Sequence, residues 1–594
     1  MCSQPNHQNQ NLEHKRHTLA HLLAKAILQH FPHAKPTIGP AVADGFYYDF
    51  DFTGGTTPTE ADLPKIEKTM RKILPHWKHF SRELVTAAEA KIIFANNPYK
   101  LELISELEKH GDQITLYTVG TADYAFTDLC RGGHSEHPDK DIAPDSFIIH
   151  QLAGAYWRGD EKNAMLTRIY GLAFNDKAEL EAHQTALEEA KKRDHRLLGE
   201  QLDLFHFDEA IGKGLPIWLP KGNIIKEELE NWAKETEAKW GYERVTTPII
   251  TKEDLFYTSG HLPLYKDSMY APITIENDHY YIKPMNCPFH HKTFAARPKS
   301  YRDLPVRYAE YGWCHRYEDS GSLFGLMRVR GMQMNDAHIY VAREQAVAEF
   351  VQVIKLHEYY YRALGITKYE MELALRDPNN MDKYHGDEED WQEAERMTIA
   401  AMEQSGVPFT IVHEGAAFYG PKMDFQIESS IGRKFTASTN QLDLYMGKRF
   451  GLEYVDKDGT KKIPAIIHRA PLGTHERFIG FLIEHFGGHF PLWLSPEQIR
   501  VVPVAETHIS YAQNLVAGLK STGIRATLDD SHDSLGKKIR NAKMSRLPYY
   551  AVVGDKEAAE KKVTLESKKG VKSYLDHSEL GNHLLTEIES KLLP

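Results

Sequence analysis

The stretch PVRYAEYGWCHRYEDSGSLFGLMRVRGMQMNDAHIY, residues 305–340, decides the fold of the chain around it. Its pattern predicts a strand over residues 306–316, a polar loop over residues 318–325, and a second strand-like segment ending in Asp336 and His338. Because arginine offers a rigid fork of donors to phosphate oxygens, this hairpin predicts a bound polyphosphate. A salt-bridged surface hairpin is the alternative. Four charged side chains surround the loop, namely Arg316, Glu318, Arg328 and Arg330.

The composition, with 41% hydrophobic and 26% charged residues, is typical of a soluble globular protein, and 594 residues leave room for three or four domains. The net charge of −11 disfavours general coating of nucleic acid, so any RNA contact must be local. The polar N-terminus is no signal peptide, and no apolar run is long enough to span a membrane. Too few cysteines occur for a disulfide framework, which predicts a reducing cytoplasm: Cys2, Cys130, Cys287 and Cys314.

Two pairs of potential metal ligands occur near the N-terminus. Apolar positions at helical spacing over residues 17–31 predict a helix, and His17 and His21 share one face of it. Cys130 and His134 are also four residues apart and fall in a glycine-containing turn. Three histidines and a cysteine are the right chemistry for a tetrahedral zinc site. Each pair alone is more often solvated or part of a core.

The middle of the chain alternates between helical and strand patterns. Residues 176–201 predict one long charged helix with a solvated face, which we interpret as a linker. Residues 204–494 contain an amphipathic helix over 223–241, a strand ending near Pro248, and a helix over 343–364. Together with the many Gly/Pro-rich loops, this pattern favours a largely antiparallel sheet flanked by helices. No GxGxxG motif or P-loop occurs.

The residues from Glu497 onward alternate strand and helix patterns and predict a small α/β domain. One segment of this region is rich in cations and contains no acidic residue. It predicts contact with RNA phosphates, although a solvated helix face fits the same pattern. Its cations are Lys537, Lys538, Arg540, Lys543 and Arg546.

The hairpin of residues 305–340 resembles motif 2 of the class II aminoacyl-tRNA synthetases, and CHRYEDSGSLFGLMRVRG followed by DAHIY resembles the threonyl-tRNA synthetases. The resemblance implies a multidomain α+β and α/β protein with a class II antiparallel sheet flanked by helices. It also implies an N-terminal α+β editing domain and a C-terminal α/β anticodon-binding domain. The resemblance continues through KPMNCPFHH (283–291), AFYGPKMDF (417–425), QLDL (441–444) and IIHRAPLGTHERFIG (466–480).

The resemblance divides the chain into five segments. The helix over 223–241 corresponds to motif 1, which implies a homodimer, although a buried core helix fits the same residues. We recognise no counterpart of the small ubiquitin-like domain that commonly precedes the editing domain, and we expect it to be absent. The segments are a disordered N-terminus (1–12), an editing domain (13–175), a linker helix (176–203), a catalytic domain (204–494) and an anticodon-binding domain (495–594).

The implied activity is the ATP-dependent ligation of L-threonine to its tRNA through a threonyl-adenylate. Such a reaction needs positioning and charge stabilisation more than a protein base. The resemblance assigns catalysis to Arg316, Arg477 and Lys422, and threonine binding to Asp336, Tyr419, Gln441 and Met285. It assigns ATP, bound with magnesium, to Arg316, Glu318, Arg328, Met332 and Arg477. It assigns one zinc ion per subunit to Cys287, His338 and His468, a ligand set that leaves one position open.

A zinc filter of this kind gives a physical reason to expect a second, hydrolytic site. Valine lacks the hydroxyl that would reach the metal, but serine lacks only one methyl group. That methyl is worth about 1–3 kcal/mol, or roughly ten- to 200-fold in discrimination. The resemblance assigns hydrolysis of mischarged seryl-tRNA, without a requirement for zinc, to His17, His21, Cys130, His134, Lys100 and Asp128. It assigns tRNA contacts to Lys537, Lys538, Arg540 and Glu557.

Several residues depart from the usual pattern of this family. Met332 replaces an aromatic residue that stacks on adenine, and Met334 replaces a glutamine. We interpret these departures either as weakening ATP binding or as excluding an inhibitor. Thr436 and Ala437 stand where glutamine and cysteine are common, Gly133 replaces the proline of CRGPH, and Glu566 replaces an arginine that contacts the anticodon.

Two other functions are open at this stage. One is a free-acting aminoacyl-tRNA hydrolase whose synthetase half has decayed, and the other is a non-catalytic tRNA-binding or regulatory paralogue. The retained Arg316, Arg477 and zinc ligands disfavour both, because decay would not spare all of them. The expected partners are threonine tRNA, ATP, L-threonine and a second copy of the chain.

Overall fold

The computed structural model describes residues 7–428, 434–591 and 593. The chain divides into two compact units, Met1–Glu188 and Glu189–Pro594. Cys2 lies outside the described residues, and Cys130, Cys287 and Cys314 are free thiols. None of the described helices is both long enough and apolar enough to cross a membrane.

The first unit combines helices with two antiparallel sheets. Strands β1, β3, β8 and β7 lie side by side in that order with β2 beside β3, and β4, β5 and β6 form the smaller sheet. The helices are α1 (His7–His30), α2 (Leu63–Ile73), α3 (Ala87–Ile93), α4 (Pro98–His110), α5 (Pro138–Asp141) and α6 (Lys177–Arg193), of which α6 continues past the unit boundary. The strands are β1 (Lys35–Pro36), β2 (Ala41–Val42), β3 (Gly45–Asp51), β4 (Phe80–Val85), β5 (Ile114–Val119), β6 (Phe126–Leu129), β7 (Phe147–Tyr156) and β8 (Met165–Ala173).

Helix α1 packs against β3 because its apolar positions repeat at helical spacing. Leu19, Leu23 and Ile27 are buried in one cluster with Phe46 and Phe50 of β3. This packing fixes the position of the whole helix, including the predicted site residues near its middle.

The predicted disordered N-terminus over residues 1–12 is wrong for its second half. Residues 7–12 form the first turns of α1, and residues 1–6 lie outside the described part of the chain. Helix propagation explains the difference, because each residue added to a nucleated helix gains a hydrogen bond for little further cost.

The prediction of one solvated linker helix over residues 176–201 is also wrong. The chain forms α6 and then α7 (His195–Gln201), with Asp194 between them. The Asp194 carboxylate accepts a hydrogen bond of 2.8 Å from the backbone amide of Arg196, so it caps the start of α7. His195 and Leu198 are buried, which gives α7 a core-facing side.

The second unit is larger and contains two main sheets. Its helices, after α7, are α8 (Pro220–Lys239), α9 (Asp254–Ser259), α10 (His261–Leu264), α11 (Cys287–Ala295), α12 (Ala346–Ala363), α13 (Glu388–Ser405), α14 (Met446–Arg449), α15 (His475–Phe486), α16 (Ile509–Ser521), α17 (Leu535–Met544), α18 (Asp555–Glu560) and α19 (His577–Ser590). Its strands are β9 (Phe205–Phe207), β10 (Pro216–Trp218), β11 (Glu243–Arg244), β12 (Ile250–Lys252), β13 (Ile273–Ile275), β14 (Asp278–Ile282), β15 (Val306–His315), β16 (Gly331–Val341), β17 (Tyr369–Ala374), β18 (Phe409–Val412), β19 (Lys422–Glu428), β20 (Lys434–Asp443), β21 (Tyr454–Val455), β22 (Lys461–Lys462), β23 (Ala465–Ala470), β24 (Ile499–Pro503), β25 (Ala526–Leu528), β26 (Tyr549–Val553), β27 (Lys562–Ser567) and β28 (Lys572–Asp576).

The predicted hairpin forms the heart of an eight-stranded sheet with the order β11-β15-β16-β23-β20-β19-β17-β18. Its pairings are antiparallel except at the two edges, β11 with β15 and β17 with β18. The antiparallel class predicted from the sequence is confirmed. The strand predicted to end near Pro248 is shorter than expected, because β11 stops at Arg244. Nearer the proline, the backbone amide of Thr247 donates to the Glu310 carboxylate at 2.7 Å instead of to a neighbouring strand.

The C-terminal sheet has the order β25-β24-β26-β27-β28. The first three strands are parallel, and the last two pairings are antiparallel. Val501, Ala551 and Val563 from successive neighbouring strands share one buried cluster with α16 and α19. This arrangement confirms the predicted small α/β domain.

Candidate active site

One face of the eight-stranded sheet lines a cavity of about 440 Å³. On β16 the alternate residues Met332, Met334 and Asp336 reach this cavity, whereas Ala337 and Ile339 join the core on the opposite face. The structure brings together all residues predicted for catalysis, threonine binding and ATP binding. The cavity is lined by Arg316, Arg477, Lys422, Asp336, Tyr419, Gln441, Met285, Glu318, Arg328 and Met332.

Three arginines of the cavity are close enough to affect one another. Arg316 donates from Nε to the Pro284 carbonyl at 3.3 Å, and Arg477 donates from Nε to the Met327 carbonyl at 3.0 Å. Burial, together with the charges of Arg316 and Arg328, lowers the pKa of Arg477. An anionic ligand with several oxygens would relieve this repulsion and accept their remaining hydrogen bonds.

The loop between β15 and β16 is held by its own charged residues. Glu318 Oε2 accepts from Arg328 Nε at 2.9 Å, and the Glu318 carbonyl accepts from Arg330 Nε at 2.8 Å. The Arg330 guanidinium also lies over the Tyr317 ring, 4.4 Å from its centre. The hairpin is therefore salt-bridged, and it also lines the cavity.

The three predicted zinc ligands also converge. Cys287 opens α11, and His338 of β16 lies directly opposite His468 of β23 in the sheet register. Potential ligand atoms of the three residues lie within 4.8 Å of one another. Among the described atoms, His338 Nε2 and His468 Nδ1 are buried without a hydrogen-bond partner. Two such nitrogens beside a thiol fit a zinc ion, because buried polar atoms otherwise require partners.

Electrostatics around the thiol favour the same interpretation. Burial, reinforced by the nearby Asp336 carboxylate, raises the pKa of the Cys287 thiol well above its usual value. A bound divalent cation reverses this effect, since a coordinating thiol loses its proton.

Polar groups for a small amino acid stand beside these ligands. The Tyr419 hydroxyl donates to Gln441 Oε1, and the Tyr419 ring stacks on His468 with ring centres 5.0 Å apart. Asp336 accepts a hydrogen bond of 3.0 Å from Asn286, and burial raises the pKa of Asp336. A carboxylate and an amide oxygen next to the metal ligands suit an ammonium group and a hydroxyl.

The residues that depart from the family pattern make specific contacts. Met334 Sδ accepts from Arg316 Nη2 at 3.9 Å, which is a weaker hold than an amide oxygen would provide. Met332 is buried in a cluster with Cys314. Thr436 donates to Gln426 Oε1 at 3.2 Å.

Two histidines of the site were missed by the sequence reasoning. His261 lines the cavity with Nδ1 2.7 Å from the Ser259 hydroxyl and Nε2 3.0 Å from Met285 Sδ. Burial, aided by the Arg316 charge, lowers the pKa of His261 to about 4, so its ring is neutral at pH 7. His290 lies behind His338. Single histidines carry no spacing pattern, and only a resemblance across KPMNCPFHH could have drawn attention to His290.

In the first unit, the predicted hydrolytic residues form one cluster. Cys130 Sγ lies 3.6 Å from His17 Nε2 and 3.3 Å from His134 Nε2. The rings of His17 and His134 stack with centres 4.4 Å apart, and the His21 ring lies edge-on to both. Potential ligand atoms of all four residues lie within 4.8 Å of one another. A cavity of about 470 Å³ is lined by His17, His21, Cys130, Lys100 and Asp128.

Burial keeps this cluster uncharged. It lowers the pKa of His17, His21 and His134 below the ordinary histidine value. It raises the pKa of Cys130 to about 11, so the thiol is protonated at pH 7. Neutral imidazoles can accept a proton from water or bind a metal.

A charged pair lies behind the cluster. Lys100 Nζ is 2.5 Å from Asp128 Oδ1, and the Tyr48 hydroxyl donates to Asp128 Oδ2 at 2.5 Å. All three side chains are buried. The pair thus joins α4 to β6, and the Tyr48 hydroxyl of β3 holds its carboxylate in place.

The loop that carries Cys130 and His134 depends on its glycines. Gly132 and Gly133 have φ of +99° and +82°, and the Gly133 carbonyl accepts from His17 Nδ1 at 3.2 Å. Proline is locked near φ of about −65°, so the proline usual at this position could not adopt this conformation.

The predicted RNA-binding cations of α17 differ in their surroundings. Lys538 is buried and donates to the Asp529 carbonyl at 3.1 Å, and Lys537 pairs with Asp533 at 2.9 Å. Arg540 is exposed. Arg546 donates to the Gly487 carbonyl.

Two glutamates of the same region have structural partners. Glu566 pairs with Lys543 at 3.2 Å and with Lys572 at 3.4 Å. Glu557 accepts from the Thr564 hydroxyl at 2.8 Å and from the backbone amide that precedes α18 at 3.0 Å.

Comparison with known proteins agrees with these features. Residues 270–486 match the family model of the class II tRNA synthetase core domain (G, H, P, S and T), and residues 498–584 match that of the anticodon binding domain. The threonine–tRNA ligase of Deinococcus radiodurans is 44% identical over 562 residues, which cover 93% of this chain and 85% of that protein. The threonine–tRNA ligase of Thermus thermophilus is 44% identical over 566 residues, with the same coverage.

Solved structures show the same similarity. A crystal structure described as the RNA binding domain of threonyl-tRNA synthetase from Cryptosporidium parvum Iowa II has a TM-score of 0.64 at 35% identity, covering 68% of this chain and 99% of that one. A putative threonyl-tRNA synthetase from Aeropyrum pernix has a TM-score of 0.59 at 28% identity, with 68% and 97% covered.

The central hairpin of the antiparallel sheet carries Arg316, and Arg477 lies in the first turn of α15. Both lie within the residues that match the class II core, so the chain is a class II aminoacyl-tRNA synthetase. Enzymes of this class use ATP with Mg²⁺, an amino acid and tRNA. Within the class, this chain belongs to the threonine–tRNA ligase family and joins threonine to tRNA. The predicted ligase activity is thereby confirmed.

Proposed function

We propose that the cavity of the second unit performs both steps of the reaction with the residues predicted from the sequence. The threonine carboxylate attacks the α-phosphate of ATP, pyrophosphate leaves, and the terminal ribose hydroxyl of tRNA then displaces AMP. Arg316 bridges the carboxylate and the α-phosphate, while Arg328 and Arg477 hold the remaining phosphates with Mg²⁺. The convergence of three arginines on one cavity supports this assignment. Such groups act by stabilising the charge that develops during transfer.

We propose further that Cys287, His338 and His468 bind one zinc ion in each subunit. When bound, the ion would offer open positions to the amino and hydroxyl groups of threonine. The observation that carries this proposal is the pair of buried ring nitrogens without partners in the described structure. Asp336, Tyr419 and Gln441 would then orient the amino acid beside the metal.

Threonine-dependent exchange of pyrophosphate into ATP tests both assignments. We expect exchange with threonine, weaker exchange with serine, none with valine, and loss of exchange after zinc is removed. Exchange that survives complete removal of the metal would contradict the zinc proposal but leave the arginine roles intact. Absence of exchange in the zinc-loaded protein would contradict the arginine roles.

We propose that the cluster in the first unit hydrolyses seryl-tRNA. A neutral imidazole of His17 or His21 takes a proton from water as its oxygen attacks the ester carbonyl, and the ribose oxygen leaves with a proton. This role is supported because His17, His21 and Cys130 line one cavity and a ligand atom of His134 lies within 4.8 Å of theirs. The Lys100–Asp128 pair would hold the substrate end of the pocket.

Deacylation of seryl-tRNA by the full-length protein tests the second site. We expect the variants His21→Ala and Cys130→Ser to lose deacylation while pyrophosphate exchange stays at the wild-type rate. Repeating the assay with a chelator separates hydrolysis by the side chains alone from hydrolysis that needs a metal. Unchanged deacylation in both variants would remove the cluster from the proposal.

We also propose the division into an editing domain (13–175), a catalytic domain (204–494) and an anticodon-binding domain (495–594). The matches over residues 270–486 and 498–584 support the last two. We propose a homodimer, to be tested by light scattering, and a cytoplasmic location, which the free thiols of the described cysteines support.

A further inference from the structure

Each histidine of the proposed zinc site has one ring nitrogen hydrogen-bonded to a residue outside the ligand set and the other buried without a partner among the described atoms. We propose that Asp443, and the pair formed by His290 and Glu310, are positioning residues that set which ring nitrogen of each histidine is available to the metal. This inference rests on the zinc site proposed above, but it concerns residues outside the ligand set.

Asp443 determines which ring nitrogen of His468 carries the hydrogen. Its Oδ2 lies 3.1 Å from His468 Nε2, and its Oδ1 accepts from the backbone amides of Tyr445 at 2.7 Å and Met446 at 2.8 Å. A carboxylate can only accept, so His468 Nε2 must carry the hydrogen. The lone pair of the neutral ring therefore lies on Nδ1, which is the buried atom without a partner among the described residues.

A longer chain of hydrogen bonds determines which ring nitrogen of His338 carries the hydrogen. Glu310 Oε2 lies 3.1 Å from His290 Nε2, and His290 Nδ1 lies 2.8 Å from His338 Nδ1. Because the carboxylate accepts from Nε2, the His290 Nδ1 is an acceptor, and the hydrogen between the two rings belongs to His338. The lone pair of His338 is thereby left on Nε2, again a buried atom without a described partner.

Glu310 is well suited to stand at the outer end of this chain. It also accepts from the backbone amide and the hydroxyl of Thr247, at 2.7 and 2.8 Å, and lies 3.7 Å from Lys283 Nζ. Burial alone would raise the pKa of Glu310, but the hydrogen bonds from His290 and Thr247 and the charge of Lys283 lower it. The carboxylate is thus ionised at pH 7 and can only accept. It therefore fixes the direction of the hydrogen bonds from His290 to Glu310 and from His338 to His290.

The two histidines consequently present opposite nitrogens, Nδ1 from His468 and Nε2 from His338. The two residues pair directly across β16 and β23, and both of these ring nitrogens are buried without a partner among the described atoms. Hydrogen bonds of this kind orient metal-binding histidines, and their loss typically weakens metal binding by about 10–100-fold.

The variant Asp443→Asn tests the first arm without a change in size. The asparagine oxygen can keep the two backbone amides, but its NH₂ group then faces His468 Nε2. Two donors cannot pair, so the His468 hydrogen moves to Nδ1 and removes the ligand lone pair. We expect zinc affinity to fall about 10–100-fold in competition with a chromogenic chelator. The matched control is Asp390→Asn, whose buried carboxylate pairs with Arg343 and Lys448.

A pair of variants at His290 tests the second arm. In His290→Asn the amide oxygen can take the place of the ring Nδ1 and still accept from His338, whereas His290→Leu has no acceptor. We expect the leucine variant to lose at least tenfold in zinc affinity and the asparagine variant to regain most of it. The zinc-free proteins should unfold at similar temperatures, and the rise in Tm on adding zinc should shrink only where affinity falls.

Each outcome decides the proposal. Wild-type affinity in a folded Asp443→Asn variant, or a loss no greater than in Asp390→Asn, would overturn the role of Asp443. If Asp443→Asn fails to fold, the His290 pair decides, and equal affinities in its two variants would overturn the proposal. If the wild-type protein itself binds no zinc, the zinc site fails and this inference fails with it.

Discussion

At the scale of single residues, Arg477 shows how the cavity is prepared for an anion. Burial and two neighbouring guanidinium groups act against its charge, and its Nε is held by the Met327 carbonyl. The repulsion among the three arginines disappears only when negative charge enters between them. The protein therefore contains an unfavourable interaction that the proposed binding of an anionic substrate would remove.

Replacing Arg477 should consequently reduce the stabilisation of the transition state more than the stability of the fold. We expect Arg477→Gln to reduce kcat/KM for threonine-dependent pyrophosphate exchange by about 10²–10³-fold, the usual effect of losing one preorganised donor. The control is Arg540→Gln, an exposed residue of α17. An Arg477→Gln variant within threefold of wild type would show that the remaining two arginines suffice.

Met332 provides a test of the proposed adenine pocket. A methionine can cover a purine through its polarizable sulfur, but it lacks the planar face of an aromatic ring. We expect Met332→Phe to lower the KM for ATP roughly fivefold, which corresponds to about 1 kcal/mol of stacking. The packing around Met332 opposes this gain, since it shares a buried cluster with Cys314 and Val329. An unchanged KM for ATP, with kcat also unchanged, would instead favour exclusion of an inhibitor as the reason for the methionine.

Glu476 makes the stability of the second unit depend on pH. Burial raises the pKa of Glu476 to about 7 from an ordinary value of 4.5. Because the folded state holds the proton more tightly, the contribution of this group to stability is complete below about pH 4.5 and is lost as pH rises towards 7. The total is about 3 kcal/mol at about 1.4 kcal/mol per pKa unit.

The matched variant is Glu476→Gln, which cannot ionise and whose oxygen can still accept from the Gln333 amide that Glu476 now binds. We expect the Tm of the wild type to fall relative to this variant between pH 5 and pH 7 and the difference to stay constant above pH 7. Parallel pH profiles over that range would contradict a raised pKa at Glu476.

Prediction from sequence works at this scale where residues belong to a long motif. The structure brings Arg316, Arg477 and the three residues proposed to bind zinc together around one cavity or cluster, and each lies in a stretch that resembles the family. His261 and Asp443 act through burial and hydrogen-bond direction, and neither property can be seen in a one-dimensional pattern. The role of Gly133 is equally invisible in the pattern, since it depends on a positive φ and on the position of its carbonyl against His17.

At the scale of elements, a buried ion pair joins α8 to the sheet. Arg469 of β23 and Glu237 of α8 lie 2.9 Å apart and are both inaccessible to solvent. Glu237 also accepts from Asn335 of β16 and from Arg244 of β11. One carboxylate thus ties the helix to three strands, including the two that carry the histidines of the proposed metal site.

Removing this carboxylate should leave an uncompensated buried charge. We expect Glu237→Gln to destabilise the second unit by about 3–5 kcal/mol, measured as a shift of its urea unfolding transition. Glu235→Gln is the control, since Glu235 is exposed on the same helix two residues away. A shift of less than about 1 kcal/mol would mean that Arg469 finds another partner or water.

Element prediction failed where a tertiary contact overrides a local pattern. The charged segment 176–201 reads as one helix, yet the chain breaks at Asp194 because His195 is drawn into the core. His195 Nδ1 lies 2.8 Å from Glu484 of α15, and its Nε2 accepts from the backbone amide of Leu326 at 3.1 Å. No sequence pattern within the segment signals partners that lie well over a hundred residues away.

At the scale of the whole molecule, the net charge of −11 opposes binding to RNA over most of the surface. The structure leaves fewer residues of α17 available to contact RNA, because Lys538 is buried and Lys537 is paired with Asp533. Arg540 remains exposed on the same helix.

Salt dependence can measure this contribution. We expect Arg540→Gln to weaken binding of threonine tRNA and to reduce the slope of log Kd against log salt by about one. Lys434→Gln serves as the control, since Lys434 is an exposed cation of β20 that pairs with Glu370. An unchanged slope for Arg540→Gln would place the RNA on another face of this domain.

The fold class could be predicted at this scale. Composition, alternating patterns and an ordered series of motifs are enough to indicate the antiparallel sheet and the terminal α/β domain. The register that places His338 opposite His468 could not be foreseen, because strand pairing depends on packing across the whole sheet.

Helix α15 connects the cavity to the C-terminal region of the chain. Arg477 lies in its first turn, and Gly487 just beyond its last turn accepts from Arg546 of the C-terminal region, while Arg193 donates to the His485 carbonyl at 3.3 Å. Twelve residues make a rod about 18 Å long at 1.5 Å per residue. A tilt of only about 5° about one end therefore displaces the other by about 1.6 Å, more than enough to break a hydrogen bond. Arg477, which we propose binds phosphate, is thus carried at one end of a rigid helix whose other end is held by the region expected to read the anticodon.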